Sequence, residues 1–309
     1  MALYTLKRVA YMIVTIFVII AITFFIMKLL PGTPYKNAAK LTPAQIEVLN
    51  EKYGLDEPIP VQFVQYVGNM VKGDLGISFQ YDGRSVTKII SNKLPVSAQL
   101  GFEAMIVGVI LGIILGIIAS LRRGTILDYG AVFLAVLGIS IPSFVFAQLL
   151  QYYVGLQWDL LPIAYWKGPS YHILPVIALA IGVIANISRF TRTEMVEVLN
   201  QDYITTAKAK GLRRFTVIMQ HSIRNAMIPV ITIVGPLAAS IMTGSLVIEN
   251  IFAIPGIGEQ FVTSILTNDY PMIMGTTILI SVAFVIVIFV TDMLYGVIDP
   301  RIRISGGNS

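Results

Sequence analysis

The sequence predicts an all-α integral membrane protein with six transmembrane helices and a small external domain between the first two, on three observations. Only 13% of the 309 residues are charged, against 56% hydrophobic, roughly half the charged fraction a soluble surface carries. The apolar residues gather in blocks of about twenty, the length a helix needs to cross some 30 Å of hydrocarbon. The basic residues flank those blocks and crowd one side of them, as membrane topology demands.

The first block, Val9 to Met27, follows Lys7 and Arg8 and ends at Lys28. It is longer than a signal-peptide core and "KLLPGTPYK" offers no small-residue cleavage site, so the sequence predicts a retained helix over 1–30 with Lys28 snorkelling at its outer end. Residues 31–95 are mixed, punctuated by Pro and Gly, and predict an extracytoplasmic domain. Within it, Thr42-Pro43 starts a helix that Gly54 stops. Apolar blocks then recur at Val96–Leu121, Tyr129–Leu156, Ile173–Phe190, Ile228–Ile248 and Met272–Ile298, giving a five-helix domain over 96–298 and a tail over 299–309. Gly108, Gly112 and Gly116 fall on one helical stripe and predict close approach of a neighbouring helix. Pro142 and Gly235-Pro236 predict kinks.

Six spans put both termini on one side. Lys7, Arg8, Arg122, Arg123, Arg189, Arg192, Lys208, Lys210, Arg213, Arg214, Arg224, Arg301 and Arg303 all fall there, whereas the short opposite loops hold only Lys167. That side is cytoplasmic, and the protein is expected in the cell membrane. The pI near 9.3 is therefore a mark of topology, and no nucleic-acid partner is expected.

Catalytic chemistry is missing. With no cysteine and only His172 and His221, neither a thiolate site nor a zinc pair is available. No Gly-x-Ser-x-Gly elbow occurs, and without a Gly-Lys dipeptide there is no Walker loop. Glu103 and Asp292 lie near opposite ends of their spans, where a polar or helix-end contact is expected rather than acid or base work. No catalytic residue, metal or resident cofactor is expected, and any ATP must be used by another subunit.

The loop over about 191–228 carries the functional signal. "DYITTAKAK" forms a short helix, with Asp202 or Asn200 as its cap and Gly211 as a left-handed stop. Tyr203 and Ala207, one turn apart, share a face. So short a helix gains order by docking its Ala-rich face on a partner. A second, basic helix follows, with Phe215, Ile218, Met219 and Ile223 expected on its apolar side.

"DYITTAKAKGL" and "HSIRNAMIP" resemble the coupling loop of ATP-binding-cassette (ABC) importer permeases of the oligopeptide, dipeptide and nickel branch. "LLPGTP", "YGLDEPIPVQF", "GDLGISF", "FAIPGIGE", "DYP" and "DPRIR" extend the likeness over nearly the whole chain. Thr206 stands where many relatives of the wider importer class have Glu, so no salt bridge of such a Glu is carried over. The resemblance implies the type I ABC importer permease fold and a subunit that takes up oligopeptides, with a dipeptide or nickel importer as the nearest alternative. It also implies a sister permease, two cytosolic ATPase subunits that bind ATP and Mg, and an extracytoplasmic binding protein. Asp202, Tyr203, Thr206, Ala207, Lys208, Lys210 and Gly211 would contact the ATPase. Asn186, Ser188, Ser240, Thr243 and Ser245 are the polar candidates for the translocation path. An ion-coupled secondary transporter is the rival from another class, but it predicts an inverted repeat and mid-span acids, and neither is present.

Overall fold

The computed structural model describes residues 2–29, 35 and 41–298. Among the described residues twelve α-helices follow one another: α1 (Ala2–Lys28), α2 (Pro43–Tyr53), α3 (Ile59–Val71), α4 (Val86–Leu121), α5 (Ile126–Ser140), α6 (Ser143–Leu150), α7 (Pro169–Leu199), α8 (Asp202–Ala209), α9 (Arg214–Thr216), α10 (Arg224–Ile251), α11 (Ile257–Leu266) and α12 (Tyr270–Ile298). α6 continues as a π-helix over Gln151–Gln157, and α9 as another over Val217–Ile223. Among the described residues five helices are long and apolar enough to cross a membrane, or six if the bent pair Ile126–Ser140 and Ser143–Gln157 is one span. The terminal match "DPRIR" and the 299–309 tail lie outside the described residues, as does "LLPGTP" beyond Leu29.

Two elements depart from the sequence expectation. The second apolar block begins at Val96, but its helix begins at Val86 and runs through Pro95; one missing N–H does not end a helix that packing holds on both sides. The third block is no gently kinked span. α5 and the helix that follows it meet at 105°, because Pro142 pushes Ile141 into extended backbone (φ −84°, ψ 120°). By contrast, α10 runs as one continuous helix through Pro229 and Pro236.

The chain divides into two compact units, residues 1–97 with 255–285 and residues 98–254 with 286–309. In the first, α2 is bounded as its sequence demands. Thr42 accepts from the Gln45 N–H while Gln45 reaches back to the Thr42 N–H, and Gly54 closes the helix at φ +64°. α3 packs along the apolar run of α1, with Phe63 among Phe17, Phe24 and Phe25 at centroid distances of 6.0, 5.3 and 5.6 Å. Ile20, Phe24 and Met27 join Met274 and Ile278 in one core cluster.

Segments remote in sequence meet in this unit. Ser78, from "GDLGISF", donates a hydrogen bond to the carboxylate of Asp269, from "DYP", and both are buried. Glu259, from "FAIPGIGE", pairs with Lys93 at 2.5 Å, and the Ile257 N–H donates to Ser97 Oγ at 2.8 Å. Burial pushes the Asp269 carboxyl above its usual value, against hydrogen bonds from Ser78 and from the Phe79, Met272 and Gln80 N–H groups that pull it down. A carboxyl raised by folding contributes stability that is fully present below its unfolded value near 3.8 and is lost as pH rises through the folded value. The melting temperature of the protein, taken relative to Asp269→Asn, should therefore be higher at about pH 4 than at about pH 7. A difference that stays level across that range would contradict the assignment.

The second unit is organised around α7, which packs against α5, α6 and α10 and buries Leu174, Ala178, Val183, Ile187, Thr191 and Met195. The glycine stripe works as expected. A Cβ on Gly108 would lie 2.7 Å from Val183 Cβ, one on Gly112 would lie 2.7 Å from Ile187 Cβ, and one on Gly116 would lie 2.6 Å from the Ser188 carbonyl oxygen. α4 and α7 therefore touch backbone to side chain along three turns. At one end of this pair, Asp128 in the first turn of α5 accepts both Nε and Nη2 of Arg192 at 2.5 and 2.8 Å, and the Gly124 N–H at 3.0 Å.

Candidate functional site

α7 leads directly into the loop singled out in the sequence. Asn200 ends α7 and its amide turns back to the Val196 carbonyl at 2.9 Å. Gln201 takes the N-cap position of α8 with extended backbone and no side-chain cap bond, and Asp202 is the first helical residue. Neither Asn200 nor Asp202 caps the helix, contrary to expectation; Asp202 instead places a negative charge at the positive end of the helix dipole.

The far end of α8 is built as predicted. The Gly211 N–H donates to Lys208 O at 3.0 Å and the Leu212 N–H to Ala207 O at 3.4 Å, with Gly211 at φ +77°. This paired pattern is a Schellman stop, and it needs a left-handed residue where it places Gly211.

The faces of α8 differ from the expectation. Ala207 and Ile204 are buried against Val217, with Val198 beside them, inside the protein's own fold. Tyr203, one turn before Ala207, lies at the edge of this seat: it is 42% exposed, and Asn225 donates to its hydroxyl at 3.2 Å. Asp202, Thr206, Lys208, Lys210 and Gly211 are exposed. The Ala-containing face thus seats α8 on its own chain, and the polar face with Tyr203 is the free one.

The following segment explains the misreading. Val217–Ile223 is a π-helix in which Val217 and Ser222 are buried and Ser222 Oγ donates to Val217 O at 3.2 Å. A π-turn is wider than the 3.6-residue repeat on which an amphipathic stripe is counted. Met219, within the π-helix, is 49% exposed, and Phe215, just before it, is 73% exposed. Sequence reasoning missed these as surface residues.

The candidate path residues are not brought to one surface in the single chain. Asn186 is half-buried and donates to Gly182 O at 2.8 Å. Ser188 is buried where α7 meets Gly116. Ser240 is exposed and donates to Leu237 O, whereas Ser245 is buried and donates to Met242 O. The side chain of Thr243 lies outside the described residues. Among the described residues no group of three or more His, Asp or Glu could hold a metal ion.

Residues 108–304 match the family described as the binding-protein-dependent transport system inner membrane component, and residues 1–101 match the N-terminal region of the same components. The chain belongs to this family. Within the family it is similar to the dipeptide transport system permease protein DppB of Lactococcus lactis subsp. cremoris (strain MG1363), 47% identical over 304 residues that cover 98% of this chain and 100% of that protein. It is similar also to DppB of Bacillus subtilis (strain 168), 48% identical with 98% and 99% covered. The oligopeptide transport system permease protein OppB of Escherichia coli (strain K12) is 40% identical, with 97% and 99% covered. An inward-facing structure of the MetNI methionine ABC transporter overlays with a TM-score of 0.57 at 14% identity, covering 68% of this chain and 96% of that one. The fold is that of the type I ABC importer permeases, and membership of the family makes this chain a multi-pass inner-membrane permease. The ion-coupled alternative falls away.

Proposed function

We propose that this chain is one of two permease subunits in an importer of oligopeptides, paired with a sister permease and served by an extracytoplasmic binding protein. Two cytosolic ATPase subunits hold the ATP and Mg and do the hydrolysis. Both termini face the cytoplasm, as the distribution of Lys and Arg favours. Dipeptides are the second reading, favoured by the two DppB relatives at 47% and 48% identity.

One observation carries the coupling role. α8 is a short helix stopped by Gly211 and pinned from beneath by Ile204 and Ala207, and it presents Asp202, Tyr203, Thr206, Lys208 and Lys210 outward. Those exposed groups are the contact with the ATPase, while Ala207 acts from inside by holding the helix at its height. Because α8 follows α7 after only two residues, a shift of the ATPase dimer reaches the helix around which the second unit is packed. Transport is then a shift between two packings, one of which uncovers Asn186, Ser188, Ser240, Thr243 and Ser245 along the path.

Gly211→Val tests this. A Cβ at Gly211 meets nothing within 4 Å, so the variant changes backbone preference alone, at about 1–2 kcal/mol for a left-handed residue and more for a β-branched one. Membrane insertion should be unchanged, whereas peptide uptake and co-purification of the ATPase fall about tenfold. Gly211→Asn, which tolerates the conformation, should keep most of both. Undiminished uptake by Gly211→Val refutes the coupling role.

A further inference from the structure

Glu103 stands 18 residues before Leu121 in α4, about 27 Å along the helix at roughly 1.5 Å per residue. It therefore lies close to a full hydrocarbon thickness from Arg122 and Arg123, at the opposite mouth. His172, in the first turns of α7, places Nδ1 at 3.0 and 3.2 Å from the two carboxylate oxygens, and Gln99 Nε2 donates to one of them at 2.8 Å. The Trp166 ring stacks on the imidazole, centroids 3.6 Å apart and planes at 8°. The carboxylate is thus held by two groups that line the same groove, and the Glu103 side chain remains 31% exposed.

It opens on a groove of about 430 Å³ whose remaining walls are largely apolar: Phe102, Ile106, Val107 and Ile173. A carboxylate offers about four acceptor positions; the shared imidazole nitrogen and one amide leave some of them toward the groove. A negative group set at the rim of an apolar trough is complementary to a cation with an apolar body. A free peptide has that form at its amino end, an ammonium next to the first side chain.

Resting on the peptide-import reading above, we infer that this groove is a substrate site at the outer mouth, where Glu103 accepts the terminal ammonium of the incoming peptide. The first side chain lies against Phe102 and Ile106. His172, backed by Trp166, is a positioning residue that holds the carboxylate toward the groove.

The test uses the assembled transporter in vesicles of choline lipid, without binding protein, with trialanine and N-acetyl-trialanine as probes. Trialanine should bind the unaltered transporter, and the acetylated peptide about tenfold or more weakly, since it has lost the charge that Glu103 meets. Glu103→Gln should weaken trialanine by a similar factor and abolish the preference between the two probes. Glu103→Asp, which keeps the charge, should retain the preference. Equal affinity for both probes in the unaltered transporter, or an unchanged preference in Glu103→Gln, overturns the inference. So does displacement of trialanine from the unaltered transporter by trace ethanolamine lipid but not by free ethanolamine, because the site would then serve a lipid amine. Uptake of trialanine by the complete system with its binding protein is measured in parallel. If that uptake is absent, the peptide-import reading fails; if it is present while the probes bind alike, only the Glu103 site fails.

Discussion

Arg192→Met should lower the stability of the purified protein by about 3–5 kcal/mol, the effect of stripping one partner from a buried ion pair. The Asp128 side chain is 3% exposed, and in the variant it would keep only the Gly124 N–H of the three hydrogen bonds it now accepts. The pair ties the start of α5 to the part of α7 that runs on into α8, so peptide uptake should fall along with stability. Pairing the change with Asp128→Leu removes the stranded charge and should restore most of the stability, since apolar replacement of a whole buried pair is close to neutral. Unfolding of the three variants in mild detergent by increasing denaturant reads this directly. A double variant as unstable as the single one would falsify the assignment of the cost to an unpaired carboxylate.

Gly116→Val should be nearly as damaging, for a steric reason. The added Cβ would sit 2.6 Å from both the Ser188 carbonyl oxygen and Thr191 Cβ, and a backbone carbonyl in the middle of α7 has nowhere to go. α4 and α7 must separate, which costs about 1–3 kcal/mol for each forced contact of this kind and strips the van der Waals packing that holds helices together in lipid. Most of the protein should be lost from the folded, detergent-extractable fraction. Gly130→Ala is the control: the position is exposed on α5 with nothing within 4 Å, so the change should be neutral or stabilising by about 0.4–1 kcal/mol. Equal losses at the two positions would show that helix propensity, not close approach, sets the cost.

Much of this was legible beforehand because the signals are local. The helix ends at Thr42, Gly54 and Gly211 depend on a few neighbouring residues and on which backbone angles glycine tolerates. The glycine stripe over 108–116 needs only the helical repeat to be seen. Where reasoning failed, the deciding partner lay elsewhere in the chain. Ala207 was expected to face another protein because Val217, which covers it, belongs to a segment whose π-turns are invisible to a 3.6-residue count. Pro142 was expected to kink a span, and there the helix is interrupted with a bend of 105°, whereas Pro236 sits inside a continuous α10.

The likeness of "GDLGISF" and "DYP" to a family pattern named two isolated strings, yet it did not say that Ser78 and Asp269 meet. In the same way, Glu103 and His172 read separately as a span-end acid and a loop histidine, 69 residues apart in the chain.

By itself the sequence determined that this chain lives in a membrane, which loop carries the basic residues, and which family it joins. These follow from composition, block length and short motifs, quantities that one stretch of chain sets without reference to the rest. Only the tertiary structure decided which side of α8 is free, that Arg192 finds Asp128, and that an anion and an imidazole share one groove with an indole stacked on the imidazole. Such contacts arise from how helices rotate about their own axes when they pack, and that rotation is settled by the sum of many distant side chains.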